Sequence, residues 1–173
     1  MERSKSRFKA VCDSGPIIHL DEIGVLYLTE DFQEILLCPA VINEVQRKRP
    51  KLFVKITPPF VISPHAFPTD QTLIAMCRAL SLDTGEFEAL ALMERDPAAI
   101  FLTDDSAARM VGERMGYKVH GTIGILLRSI RRNQLNPKEV LGLLDSLPKK
   151  CSFFIKPSLL DEIKLRVKDE FHL

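Results

Sequence analysis

Asp13 and Asp104 each follow a short apolar run, Phe8-Lys9-Ala10-Val11-Cys12 in one case and Ala99-Ile100-Phe101-Leu102-Thr103 in the other, and each precedes a helix-start signal. In an open parallel α/β sheet, ligands bind in the crevice outside the carboxyl ends of the strands, so acids ending two neighbouring strands meet there although they are far apart in sequence. More acid stands at matching places. Glu44 lies in a helix opened by Pro39 after the strand-like Gln33-Glu34-Ile35-Leu36-Leu37-Cys38, and Glu86 sits in the first turn after Leu82-Asp83-Thr84-Gly85. Asp105 and Glu88 lie beside the two main candidates. Two like charges roughly 5 Å apart repel by about 3 kcal/mol at an effective dielectric of about 20, so converging carboxylates must be protonated or bridged by a cation. Oxygen ligands with room for water suit Mg²⁺ or Mn²⁺, whereas zinc prefers nitrogen and sulfur.

The elements that must position these acids alternate along the chain. Short β-rich runs predict strands near 8–12, 34–38, 99–103 and 118–120, with a weaker extended stretch from Val54 to Ile62 that Pro58 and Pro59 interrupt. Helical periodicity and capping signals predict helices near 15–23, 39–49, 69–80, 84–95, 106–115, 122–133 and 137–146. Alternation of this kind predicts an α/β fold with a central parallel sheet of about four to five strands, covered on both faces. Residues 149–173 read as a strand and helix appended to one domain spanning 1–173, with Cys151-Ser152-Phe153-Phe154-Ile155 extended and Leu159 to Phe171 helical. No composition break marks a second domain, and no internal repeat is present.

Most of these candidates also have a purely structural use. Asp13, Ser14 and Asp104 suit helix caps, and Asp83 with Glu86 has the spacing of a capping box. Glu44 has no such use: it lies beyond the first turn in an apolar stretch, and a half-buried acid there needs a partner. His19, His65, His120 and His172 are scattered and adjoin no carboxylate motif, which reads as surface or satisfied polar residues. A phosphate-binding GxxxxGK loop, GxGxxG after the first strand, HExxH and GxSxG are all missing. Gly15 stands where an aspartyl-phosphate enzyme has its second Asp.

With 173 residues the chain is large enough to bury roughly 70% of its unfolded surface. Its four cysteines, Cys12, Cys38, Cys77 and Cys151, form no CxxC pair and read as reduced apolar filler, which fits a cytoplasmic protein. The basic segment Met1 to Arg7 precedes only a short strand rather than a signal-peptide core, and no run reaches membrane-spanning length. Basic and acidic residues number 24 and 23, so nucleic acid would have to be met by local patches. Arg128, Arg131 and Arg132 share one helix face, and Arg47 and Lys48 end the helix that carries Glu44. Helix-dipole compensation accounts for such placements as well as RNA contact does.

The blocks Val11-Cys12-Asp13-Ser14-Gly15-Pro16-Ile17-Ile18, Pro39-Ala40-Val41-Ile42-Asn43-Glu44-Val45, Leu82-Asp83-Thr84-Gly85-Glu86-Phe87-Glu88-Ala89-Leu90-Ala91-Leu92 and Leu102-Thr103-Asp104-Asp105-Ser106-Ala107-Ala108-Arg109, in this order, resemble a PIN domain. The similarity continues through Gly116 to Gly124, and it is nearest to VapC-like prokaryotic proteins with a GEAEA-type helix. Many PIN domains place an Asp where this chain has Glu86 or Glu88. The resemblance implies a three-layer α/β/α fold and a metal-dependent endoribonuclease, often the toxin of a toxin–antitoxin pair and commonly a homodimer. It implies that Asp13, Glu44, Glu86 and Asp104 or Asp105 hold one or two Mg²⁺ or Mn²⁺ ions. Ser14, Thr103 and Glu88 would then support those ligands, and no side chain need act as nucleophile. A non-catalytic RNA-binding or regulatory module is the alternative.

Overall fold

The computed structural model describes residues 8–54, 56–57, 59–152 and 154–173. The basic Met1 to Arg7 segment, Pro58 and Phe153, on which three of the expectations above touch, lie outside the described residues.

The chain builds a five-stranded sheet with the order β3-β2-β1-β4-β5 and every neighbouring pair parallel. The strands are β1 (Lys9–Cys12), β2 (Glu34–Leu37), β3 (Phe60–Ile62), β4 (Ile100–Leu102) and β5 (Lys118–His120). Parallel strands need crossovers, and the helices that make them cover both faces, giving the expected three-layer α/β/α fold. These are α1 (Ser14–Glu22), α2 (Pro39–Lys48), α3 (Gln71–Ala79), α4 (Thr84–Arg95), α5 (Ser106–Arg114) and α6 (Thr122–Arg131), followed by α7 (Pro137–Lys150) and α8 (Pro157–Phe171). A 3₁₀ turn, Leu26–Asp31, links α1 to β2.

Local chemistry explains most boundaries. Pro at the first turn starts α2, α7 and α8, where its missing N–H costs nothing. Reciprocal capping boxes start α4 (Asp83 with Glu86) and α7 (Asn136 with Glu139). The central strands read as continuous apolar runs because both faces are covered: Ala10, Val11, Ile100, Phe101 and Leu102 are all buried. Helices α1 and α4 are buried over most of their surface, from Pro16 to Leu20 and from Glu88 to Met93.

Two expectations change. Only Phe60–Ile62 of the weak Val54 to Ile62 stretch pairs, as an edge strand against β2. Around 151–155 the described residues form no strand: α7 runs on to Lys150, and the chain then ties to α1 instead of to a sheet edge. The Ser152 N–H donates to Glu22 Oε2 at 2.8 Å, and Cys151 Sγ lies 3.6 Å from the His19 carbonyl oxygen.

Helix α5 approaches the sheet so closely that a β-carbon at Gly112 would lie 2.9 Å from Val119 Cγ2 and 3.1 Å from Phe101 Cδ1. Gly112→Leu should therefore overpack this contact and lower the unfolding free energy by about 1–3 kcal/mol, read as an earlier urea midpoint at unchanged m-value. An unmoved midpoint would mean that α5 can lift from the sheet without loss.

Candidate active site

The chain leaves β1 for β2 and β3 on one side and returns to β4 and β5 on the other, so the direction of winding reverses between β1 and β4. This switch point is where open α/β sheets bind ligands. Asp13 follows β1 directly and Asp104 stands two residues beyond β4; the Asp13 N–H donates to the Leu102 carbonyl at 2.9 Å, which locks the two strand ends together. Helix α2 packs against α4, bringing Glu44 and Glu86 to the same end.

The result is a pocket of about 370 Å³ whose walls include Asp13, Glu44, Asp83, Glu86, Asp104 and Asp105. Ser14, His19, Lys48 and Phe154 line it as well. Every acid expected at the site thus reaches it except Glu88, which is buried on another side of α4 with Oε1 2.7 Å from His65 Nδ1. Adjacent to this pocket a second hollow of about 390 Å³ shares Glu44 and Asp83 and adds Arg47.

Each oxygen has a distinct set of partners. Asp13 occupies the cap position of α1 but makes no side-chain cap hydrogen bond; the buried Thr103 hydroxyl donates to its Oδ2 at 3.3 Å. Burial, reinforced by the charges of Glu86, Asp83 and Glu44, pushes the Asp13 carboxyl up to about 7 in spite of the Ser14 N–H it accepts. Burial, with Asp83, Asp105 and Glu44 nearby, likewise pushes Glu86 up to about 7, against the Asp83 N–H that donates to its Oε2 at 2.9 Å. Glu44 differs. Partial burial opposes its ionisation, but Lys48 Nζ at 2.7 Å from Oε1 and the Ser14 hydroxyl at 2.7 Å from Oε2 outweigh it and lower its pKa.

Asp104 does not cap the helix that follows it. Its Oδ1 accepts the Thr122 N–H at 2.7 Å, at the start of α6, and its Oδ2 meets the Thr122 hydroxyl and His19 Nδ1, the latter at 2.7 Å. A β-carbon at Gly121 would sit 2.4 Å from Asp104 Oδ1, so glycine is what admits this carboxylate. Asp105 caps α5 instead, accepting the Ala107 and Ala108 N–H groups at 2.8 Å each. The structural role expected of Asp104 therefore falls to its neighbour.

Two histidines are satisfied polar residues as expected, but by partners that the sequence did not show. His19 and His65 each touch a carboxylate of the acidic blocks, Asp104 and Glu88, across long sequence separations. Nothing in local spacing signals either pair; the same is true of Thr122 and Phe154. Asp83 was legible only as a cap. The basic residues at the end of α6 go elsewhere: Arg128 and the C-cap Arg132 pair with Asp31 at 2.7 and 2.9 Å, and Arg128 lies 5.1 Å over the Phe32 ring. With Arg131 they line a hollow that shares no lining residue with the acidic pocket.

Among the described residues, no three His, Cys, Asp or Glu side chains already stand as a ready set of metal ligands. The partners above give the reason: Glu86 is held back by its cap, Glu44 by Lys48 and Ser14, and Asp105 by α5. The donor set nonetheless fits a hard divalent ion. It consists of carboxylate and hydroxyl oxygens, and Asp13 is desolvated among like charges with no cation of its own among the described residues, a deficit that an ion would relieve. The four cysteines are free, and burial pushes the Cys38 and Cys151 thiols up to about 12, so they offer no thiolate.

The profile of the PIN domain matches residues 9–169, nearly the whole chain, and the protein belongs to the PIN-domain family. PIN domains are in general nucleases and typically use divalent metal ions. Among curated proteins, none matches the chain. Among the described residues, no helix is long and apolar enough to cross a membrane.

The buried acid predicts a pH signature. Asp13 titrates at about 7 in the folded chain, against about 3.9 when unfolded. Between these values the folded chain keeps a proton that the unfolded chain has lost, so the group's contribution destabilises increasingly as pH rises from about 4 to about 7 and stays level above. In EDTA, Asp13→Asn should stabilise the protein at about pH 8 by on the order of a few kcal/mol, with the gain fading towards pH 4, as measured by urea unfolding across pH. A gain that does not vary with pH would show that Asp13 titrates normally.

Proposed function

We propose that this protein is a divalent-metal-dependent endoribonuclease acting in the cytoplasm, VapC-like in kind, as the toxin of a toxin–antitoxin pair. The observation that carries the reading is Asp13: a buried carboxylate at the switch point of the sheet that makes no side-chain cap hydrogen bond and shares its pocket with Glu44, Glu86 and Asp104.

In this reading Asp13, Glu44, Glu86 and Asp104 or Asp105 hold one or two Mg²⁺ or Mn²⁺ ions, directly or through water. A bound ion supplies a water of lowered pKa as nucleophile and offsets the charge that builds on the phosphoryl group. Thr103 orients Asp13, and His19 with Thr122 fixes Asp104, as hydrogen-bonded supports do for metal-binding carboxylates. Ser14 holds one oxygen of Glu44 and leaves the other to Lys48. With Glu44 holding an ion, Lys48, now its partner, would be left to meet a phosphate at the pocket, with Arg47 in the adjoining hollow.

A second reading, a non-catalytic RNA-binding or regulatory module, draws on the capping duties of Glu86 and Asp105. Cleavage separates the two. Purified protein should cut single-stranded RNA with Mg²⁺ or Mn²⁺ and stop in EDTA. Asp13→Asn and Glu44→Gln should each lower kcat by about 100-fold or more, the scale of losing one charge-stabilising group, with circular dichroism unchanged. Cleavage that survives both substitutions together would place the activity elsewhere, and RNA binding without any cleavage would favour the second reading.

The same reading includes a homodimer joined through α3 or the C-terminal helix. On α8, Leu159 and Leu165 are 48% and 58% exposed, while Ile74 and Met76 of α3 are half-buried beside the fully covered Leu73 and Cys77. Light scattering at micromolar concentration should report a dimer, and Ile74→Glu should yield monomer if α3 is the seam. A dimer indifferent to Ile74→Glu would move the contact to α8, and a monomeric wild type removes it.

A further inference from the structure

We propose that Phe154 positions the substrate, stacking its ring on an unpaired nucleobase next to the phosphate held over the acidic pocket, and so restricts the protein to single-stranded RNA. This inference rests on the ribonuclease reading above and names the residue that recognises the base.

Phe154 is 81% exposed yet lines the same pocket as Asp13, Glu44 and Asp104. Described residues on either side of it are tied to the body of the fold. Upstream, Ser152 and Cys151 bond to Glu22 and to the His19 carbonyl of α1, the helix whose His19 also faces the pocket. Downstream, Ile155 and Leu160 are buried in the core. The ring thus stands at the pocket with most of its apolar surface left to water.

The surrounding charge indicates what covers it. Carboxylates on the pocket wall repel a polyanion, so RNA needs cations around the rim. Lys149, Lys150 and Lys156 flank Phe154 in sequence, are exposed, and have no ion-pair partner among the described residues. An aromatic ring that shares a pocket with Lys48, with Arg47 in the adjoining hollow, matches the way single strands are held: cations follow the backbone and a ring takes a base face. Bases inside a duplex already stack on each other and leave the ring nothing to meet. A protein partner would seat an aromatic in an apolar pocket away from such charge.

The chain contains no tryptophan, so Phe154→Trp introduces a single fluorophore at the proposed contact. Its emission should be quenched by a short randomised RNA pool and left unmoved by an abasic ribose-phosphate chain of equal length. Phe154→Ala should raise KM for single-stranded RNA by about 5- to 100-fold at nearly constant kcat, the range expected from about 1–3 kcal/mol of stacking at 1.4 kcal/mol per tenfold, and Phe154→Trp should restore it. Equal quenching by the abasic chain, or an unchanged KM in Phe154→Ala while the wild type cleaves, overturns stacking and leaves the ribonuclease reading standing. A ring that meets a protein instead would leave both signals unmoved by RNA and would overturn the proposal as well. Base-dependent quenching in a protein that cuts nothing would support stacking and remove the ribonuclease reading alone.

Discussion

Like charge gathered at one end of a parallel sheet is the constraint around which this molecule is built. Backbone pairing of β1 with β4 brings Asp13 beside the end of β4, and the packing of α2 on α4 adds Glu44 and Glu86. Lys48 neutralises one of these acids. For Asp13 the fold supplies a hydroxyl and a backbone N–H but no cation among the described residues, and its carboxyl rises to about 7. A protein tolerates such a group by keeping it protonated or by taking up a cation, and both answers tie the stability of the fold to the chemistry of the pocket.

Much of the pocket is made of residues that hold helices in place. Glu86 closes a capping box at the start of α4, Asp105 caps α5, and Asp104 receives the first N–H of α6. Helix N-termini attract negative charge, so carboxylates assemble there at little cost, and three helices that begin at the same end of a sheet deliver theirs to one cavity. The same bonds hold Glu86 and Asp105 away from a closed coordination shell. Recruiting them to an ion exchanges a cap for a ligand, and the two roles are opposing draws on one side chain.

The surface around the pocket divides by the same logic. Arg128 and Arg132, basic and aligned on one helix face, are drawn to Asp31 and the 3₁₀ turn, where they brace α6. Lys48 and Arg47 stay at the acidic end, and Lys149, Lys150 and Lys156, near Phe154 in sequence, are exposed. Which cations are open to a substrate is thus decided by where the acids of other elements lie.

The sequence by itself determined the alternating α/β order, the five parallel strands within their stated range, and the placing of Asp13 and Asp104 at strand ends. These follow from rules that act over a few residues: apolar runs, proline at a first turn, and the Asp83–Glu86 box spacing. It also placed Glu44 on the helix after the second strand as an acid in need of a partner, and Ser14 and Lys48 are those partners. Tertiary structure alone decided that His19 meets Asp104 across 85 residues, that Glu88 turns to His65, and that the chain after α7 ties to α1 across 130 residues in place of forming a strand. It also decided that Asp105, rather than Asp104, serves as the cap. The physical reason is range: capping, periodicity and turn chemistry are set within a few residues, whereas the partner of a buried polar group is set by which distant element the packed core carries to its side.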